Sequence, residues 1–366
     1  MLSAESSRLR LARLQKILRD KNLDAAVIGF APHVYYFSAF LTNWLQFSAM
    51  VLAADGRSLL ITPNKLPDES ATSETLSYEA NWNATLRSEQ PNEVARLLVQ
   101  WLNEHRVEKV GMDTSMVGSQ FAVQWGRAVI SIDPVLWQMR RCKDADELAL
   151  MKKAIACTAA MYRRAREILR PGIQELEMFC ELHKAAVLEA GERLTALLGN
   201  DFQVGTGGGP PRQGRAAEAG ELYVLDLGPG YRGYFADNCR TFSVDGSVSP
   251  DQQRAYDAIA GIFPMIERTA RPGVRCRDLF AAADEHLQSH YGKPLKHHLG
   301  HGVGLQPHEY PHLNPKWDDA LIEGEIFTVE PGLYGPELRG GIRIEQNYLV
   351  TENGVESLLD FPLQLG

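Results

Sequence analysis

Leu11, Leu14 and Leu18 recur at intervals of three and four within residues 4–20, the spacing that gives a helix one apolar face. Residues 25–30 follow as a short apolar run of strand length. Two further runs, 50–53 and 58–62, flank Asp55-Gly56, a dipeptide that favours a hairpin turn. A helical pattern over 92–102 leads to another strand at 107–112. Helices and strands in alternation predict an α/β domain over residues 1–138. The aromatic group Tyr35, Tyr36, Phe37 and Phe40 could line a groove, but buried packing is the commoner use of such residues, and a structural role is expected.

The pattern changes near Lys143, where an uninterrupted helical periodicity begins; it runs to Leu169 and stops at Arg170-Pro171-Gly172. The same triplet returns 101 residues later as Arg271-Pro272-Gly273. At the same offset Ile173 matches Val274, Glu177 matches Asp278, Phe179 matches Phe280 and Gly191 matches Gly292. So many matches at one offset predict a duplicated unit of two helices and a β-hairpin, and thus a pseudo-twofold α+β domain over residues 139–366.

Each copy carries a pair of carboxylates. Residues 222–227 and 234–244 read as the strands of a hairpin whose Gly/Pro turn spans 228–233. Asp226 and Asp237 are equidistant from a turn centre between Tyr231 and Arg232, so an unbulged hairpin would set them opposite one another, Cβ atoms about 5 Å apart. In the second copy, strands over 325–330 and 341–350 oppose Glu330 and Glu345 across a loop at 331–340. Alternation places Arg343 on the same strand face as Glu345, where it could orient a ligand carboxylate or recognise one on a substrate. Like charges facing each other repel, and a bound cation would explain the arrangement.

Between the halves, seven of the ten histidines crowd into residues 286–312, among them His297, His298, His301 and His308. Gly300, Gly302 and Gly304 let the backbone approach something closely there. His286 and His290, four apart on a helix, read as a solvated face. Four carboxylates carry a charge that two divalent cations neutralise, and paired metals about 3.5–4 Å apart are a common hydrolytic device. Oxygen-rich ligation with one imidazole suits Mn, Co, Fe or Zn. Spacing alone leaves open both a dinuclear site and a coincidence of acidic hairpins.

Composition narrows the partners. A chain of 366 residues is long enough for two domains, and 45% hydrophobic with 23% charged residues is that of a globular protein. A net charge of -8 repels phosphate backbones and anionic lipid, so neither nucleic acid nor membrane is expected as a partner. No apolar run reaches the roughly 18 residues of a membrane span, and arginines and lysine interrupt the leucines of the first 20 residues. A cytoplasmic location is expected. The five cysteines are scattered without any CxxC spacing and read as reduced thiols without chemistry.

The residues themselves resemble the pita-bread metallopeptidases, which include aminopeptidase P, proline dipeptidase and methionine aminopeptidase. LDLGPGYRGYFADNCRTF is similar to the two-aspartate hairpin of that family, GHGVGLQPHE to its histidine segment, FTVEPGLY to its first glutamate strand and GIRIE to its last. The N-terminal RLARLQKILRDKNLDAAVI and YYFSAF resemble the creatinase-type module, which favours the aminopeptidase P and proline dipeptidase branch. The resemblance implies a pita-bread catalytic domain with two metal ions, Mn or Co ahead of Zn or Fe. Their implied ligands are Asp226, Asp237, His301, Glu330 and Glu345, with Asp237 and Glu345 bridging or bidentate. It also implies that His308 steadies the tetrahedral intermediate and that His297 lies beside the substrate. One departure stands out: family members commonly carry a histidine in a Pro-His-Gly context near the position of Gly209, where this chain has none, and its nearest polar residues are Arg212 and Gln213.

The expected function is hydrolysis of the Xaa-Pro bond of dipeptides or short peptides by a metal-bridging water, with Glu330 as general base and His308 as oxyanion donor. Arg343 is the expected substrate-binding residue, and a homodimer the expected assembly. The alternative is a non-peptidase of the same fold acting on a small C-N or C-S compound.

Overall fold

The computed structural model describes residues 1–365, apart from the side chains of 197–200. It divides into two compact units, Met1–Met139 and the remainder from Arg140. In the first, the helix Ala4–Asp20 buries Leu11, Leu14 and Leu18, as their spacing requires. A six-stranded mixed sheet runs in the order Glu74–Tyr78, Ser58–Pro63, Ala49–Ala53, Ala25–Ile28, Val110–Met112, Val129–Ser131. Met50 pairs with Leu60 across the Asp55-Gly56 turn. Tyr35, Tyr36 and Phe37 lie on the helix Ala31–Ser38 and are wholly buried, so they are packing residues.

The second unit shows the internal repeat in its backbone. Helices Ala145–Ile168 and Glu175–Ala190 flank the first Arg-Pro-Gly triplet, and Ile262–Thr269 and Cys276–Tyr291 flank the second. Gly172 and Gly273 adopt φ of +90° and +88°, a left-handed turn that glycine enters without penalty. Gly172 N–H donates to the Ala217 carbonyl and Gly273 N–H to that of Leu321, the same bond in both copies.

Strand alternation decides which way the carboxylates point. In the strand Leu222–Tyr231, Tyr223, Leu225 and Leu227 join a core with Ala154, Met161, Tyr162 and Leu182 of the helices, which leaves Asp226 on the other face. In Ile326–Val329, Phe327 and Val329 pack with Ile259, Phe263, Leu279 and Leu287, and alternation turns Glu330 away from that core. Tyr162 holds the first hairpin to its helix by donating to the carbonyls of Asn238 (2.6 Å) and Leu225 (3.3 Å).

The two hairpins are stitched together by Arg240. Its buried guanidinium donates to the carbonyls of Cys239, Glu345, Phe361 and Pro362 and to the Gln346 side chain. Methionine at this position would fill the volume and strand those acceptors without a donor. Arg240→Met is therefore expected to lower unfolding free energy by at least about 3 kcal/mol. Urea denaturation checks this, and a loss below about 1 kcal/mol would show that water replaces the guanidinium.

Both hairpins depart from their expected register or turn. In the first, Asp226 pairs with Cys239 and Gly230 with Phe235, so the turn centres on Arg232 and Gly233 and not one residue earlier. These two residues have φ of +47° and +88°, the signature of a tight two-residue turn, which extends the strand through Gly228–Tyr231. Asp237 thus stands diagonal to Asp226, not opposite it. A shift of two residues preserves the face, so both still point the same way. In the second hairpin the 331–340 loop is mostly strand: Gly332 pairs with Arg343 and Gly335 with Gly340, closed by a 3-10 turn at Pro336–Leu338. That register continues the pairing of Val329 with Gln346 and puts Glu330 in line with Glu345 in the gap between the two ladders.

Candidate metal centre

The faces turned from the two cores meet in a cavity of about 210 Å³ lined by Asp226, Asp237, Glu330 and Glu345, by four histidines and by Arg343. The four carboxylates are buried. Ligand atoms of Asp226, Asp237 and Glu345 lie within 4.8 Å of one another, as do those of His301, Glu330 and Glu345, and of Asp237, His301 and His308. Asp237, Glu345 and His301 each belong to two of these sets, so each links the two ends of the cluster.

The electrostatics describe a site short of positive charge. Burial, then the Asp226 and Glu330 charges, push the Asp237 carboxyl well up, and burial with Asp237 and Glu330 does the same to Glu345. Asp226 is raised by burial although Arg343 opposes the shift. Burial also pushes Glu330 up, but His298 and His301 outweigh it and hold this carboxyl well below the usual range. Asp226 Oδ1 and Glu345 Oε2 are buried without a hydrogen-bond partner. Orphaned buried oxygens in a carboxylate cluster fit a divalent cation, which would satisfy both at once.

His301 is set up as a nitrogen donor. It sits on the strand Gly300–Gly302, and its Nδ1 lies 2.9 Å from the Gly302 carbonyl, which fixes that nitrogen as the N–H. Nε2 is the nitrogen turned to the carboxylates, 3.3 Å from Glu330 Oε1 and 3.7 Å from Asp237 Oδ2. The flanking glycines serve close backbone approach: a Cβ on Gly300 would overlap the Thr328 carbonyl and one on Gly302 the Tyr310 carbonyl. Gly302→Ala is expected to cost about 3 kcal/mol or more by wedging this strand from its neighbour, and to lower bound metal through displacement of His301. Thermal melting together with elemental analysis checks both.

The other expected residues fall around this cluster. His308 stacks on His301 with ring centroids 3.7 Å apart, and burial plus the neighbouring His301 lower its pKa to about 4. His297 places Nε2 2.9 Å from the Tyr334 hydroxyl, and burial lowers its pKa too. Arg343 does more than share a face with Glu345: its guanidinium bonds Asp226 Oδ2 at 2.6 Å, Asp201 and the Tyr334 hydroxyl. Near the missing histidine, Gly209 has φ of +125° and a Cβ there would lie 2.7 Å from Gln203 Nε2, so the loop is built for glycine. Arg212 is turned to Glu175, 2.6 Å away, and to the Val204 carbonyl. His286 and His290 stack on each other along their helix and do not line the cavity; His290 is exposed as expected, whereas His286 is half-buried with Nε2 3.0 Å from the Ala258 carbonyl.

Three residues of the site carried no assigned role in the sequence. His298 Nε2 lies 3.1 Å from Glu330 Oε1; its place beside His297 in the crowded segment was the available signal. Tyr334 joins His297 to Arg343 and lies within the FTVEPGLY segment. Asp201 ends the strand Ala196–Asp201, and nothing in its local pattern marks it.

The chain is similar to known proteins along nearly its whole length. Residues 10–142 match the creatinase/prolidase N-terminal domain. Over 356 residues the chain is 28% identical to the Xaa-Pro dipeptidase of Pyrococcus furiosus, covering 95% of this chain and 97% of the relative. A putative dipeptidase of Bacillus subtilis is also 28% identical, over 97% of this chain and 99% of its own. Among solved structures, the prolidase from Pyrococcus furiosus superposes with a TM-score of 0.79 at 25% identity, over 95% of this chain and 99% of that one. The X-Pro aminopeptidase from Thermotoga maritima gives 0.79 at 25% identity, over 97% and 98%. The duplicated hairpins and their carboxylates fall within residues 149–352, which match metallopeptidase family M24 across more than half of the sequence, and the chain belongs to that family.

Proposed function

We propose that this metallopeptidase cleaves the Xaa-Pro bond of dipeptides or short peptides with two divalent ions, Mn or Co, held by Asp226, Asp237, His301, Glu330 and Glu345. The observation that carries the reading is the convergence of these five side chains with orphaned oxygens on Asp226 and Glu345. When bound, two such ions neutralise the carboxylates and lower the pKa of a water enough to make it a nucleophile near neutral pH. Glu330, which faces the cavity, would serve as the base that takes up a proton and passes it on. His308, which lines the cavity stacked on His301, donates a hydrogen bond to the oxygen of the attacked carbonyl. His297 and Tyr334, bonded to each other, form the wall beside the substrate. The Xaa-Pro preference is supported by the names of the relatives from Pyrococcus and Thermotoga.

The position near Gly209 offers no imidazole to protonate the leaving nitrogen. General acid catalysis contributes about 10² to 10⁴-fold, so turnover of Xaa-Pro peptides is expected below that of relatives that keep the histidine. The test is a panel of Xaa-Pro dipeptides and Xaa-Pro-Yaa peptides with protein reconstituted in Mn or Co. Metal-replete protein that cleaves none of them, yet turns over a small C-N or C-S compound, would transfer the site to non-peptidase chemistry. Sedimentation of the same sample is expected to show a homodimer.

A further inference from the structure

Asp201 faces Asp226 across the pairing of strands Ala196–Asp201 and Leu222–Tyr231, at an irregularity in the ladder. One of its oxygens forms an ion pair with Arg343 Nη2, the same nitrogen that holds Asp226. The other accepts the Gly209 N–H. Gly208, at φ of +137°, passes so close that a Cβ would collide with the carboxylate, so the loop backbone is shaped around Asp201. This aspartate is one-sixth exposed, its side chain retaining 17% of its accessible surface.

The charges close without a substrate. Four ligand carboxylates balance two divalent ions, and Asp201 balances Arg343. Among the described residues that line the cavity, Arg343 is the one side chain with a permanent positive charge. A dipeptide ending in proline would bring a carboxylate next to a guanidinium already held by two others. A peptide that continues past proline, or an amide, brings no such charge.

We infer that Asp201 is a specificity-determining residue: by occupying Arg343 it denies the site a cation for a substrate carboxylate and turns the enzyme toward proline peptides whose carboxyl group is amidated or extended. This rests on the Xaa-Pro reading above and deepens it. The experiment compares Ala-Pro, Ala-Pro-amide and Ala-Pro-Ala as substrates of Co-loaded wild type and Asp201→Asn. It also compares calorimetric binding of L-proline and L-prolinamide to both proteins, with metal content measured in each. Asparagine keeps the acceptor for the Gly209 N–H and removes the charge.

Wild type is expected to favour the amide over the free dipeptide by about tenfold in kcat/KM, and Asp201→Asn to narrow or invert that ratio. Proline should bind Asp201→Asn about tenfold more tightly relative to prolinamide than it binds wild type. Wild type that prefers the free dipeptide, or a variant with full metal content whose proline-to-prolinamide ratio is unchanged, overturns the inference. Should the variant lose its metal or fail to fold, the wild-type preference alone decides. Should wild type cleave none of the three, the Xaa-Pro reading fails, while the calorimetric ratio still reports whether Asp201 excludes a carboxylate.

Discussion

Asp237→Asn and Glu345→Gln are each expected to strip the protein of both metal ions together, and to cut peptide hydrolysis by more than the roughly 10 to 100-fold that follows loss of an outer partner. Each of these carboxylates lies in two of the ligand groups, so removing one charge weakens both ends of the cluster. Elemental analysis of the purified variants after reconstitution with excess Mn or Co reads this directly. Retention of one ion per chain would show that the residue serves a single metal, and a wild-type chain that holds none would refute the assignment. Stability should move the other way in metal-free protein. Burial and neighbouring carboxylates both oppose ionisation of Asp237 and Glu345, so neutral Asn or Gln relieves repulsion that the empty site carries. Metal-free Asp237→Asn is expected to melt above metal-free wild type, while the metal-loaded wild type melts highest of the three.

Arg343→Met is expected to destabilise the chain by about 3–5 kcal/mol, because it leaves two carboxylates in a buried wall without their shared cation. Asp226 and Asp201 both lean on one guanidinium nitrogen, and Tyr334 on another. Arg343→Lys keeps the charge but not the planar fork, and a single ammonium cannot span all three partners. The lysine variant should therefore fold, with kcat and metal affinity reduced together, as expected of a group that orients Asp226. A rise in KM confined to dipeptides, with metal content intact, would instead assign Arg343 to direct recognition of a substrate carboxylate. Urea denaturation, elemental analysis and steady-state kinetics on the two variants separate these outcomes.

Much of the fold was legible because it follows local periodicity. The helix Ala4–Asp20, the hairpin at Asp55-Gly56 and the repeated Arg-Pro-Gly stops depend on side-chain spacing and on glycine's access to positive φ, which are properties of neighbours in sequence. The turn of the first hairpin lies one residue later than the pattern predicts, because Gly228, Pro229 and Gly230 look like turn residues, whereas in the sheet they are paired strand. Asp226 and Asp237 still share a face because the displacement from Asp237 to the residue opposite Asp226 is two, an even number.

The sequence by itself determined the two-unit α/β and α+β organisation, the internal repeat and the identity of the paired carboxylates, since alternation along each strand separates core residues such as Leu225 and Val329 from Asp226 and Glu330. Tertiary structure alone decided what surrounds them. His298 against Glu330, Tyr334 between His297 and Arg343, and Asp201 against Arg343 are contacts between segments as much as 142 residues apart. Local pattern reports which face a residue occupies within its own strand or helix. Which charges converge on that face is set by packing of distant elements, and in a low-dielectric cavity those neighbours decide which carboxylates stay ionised and which cation remains free.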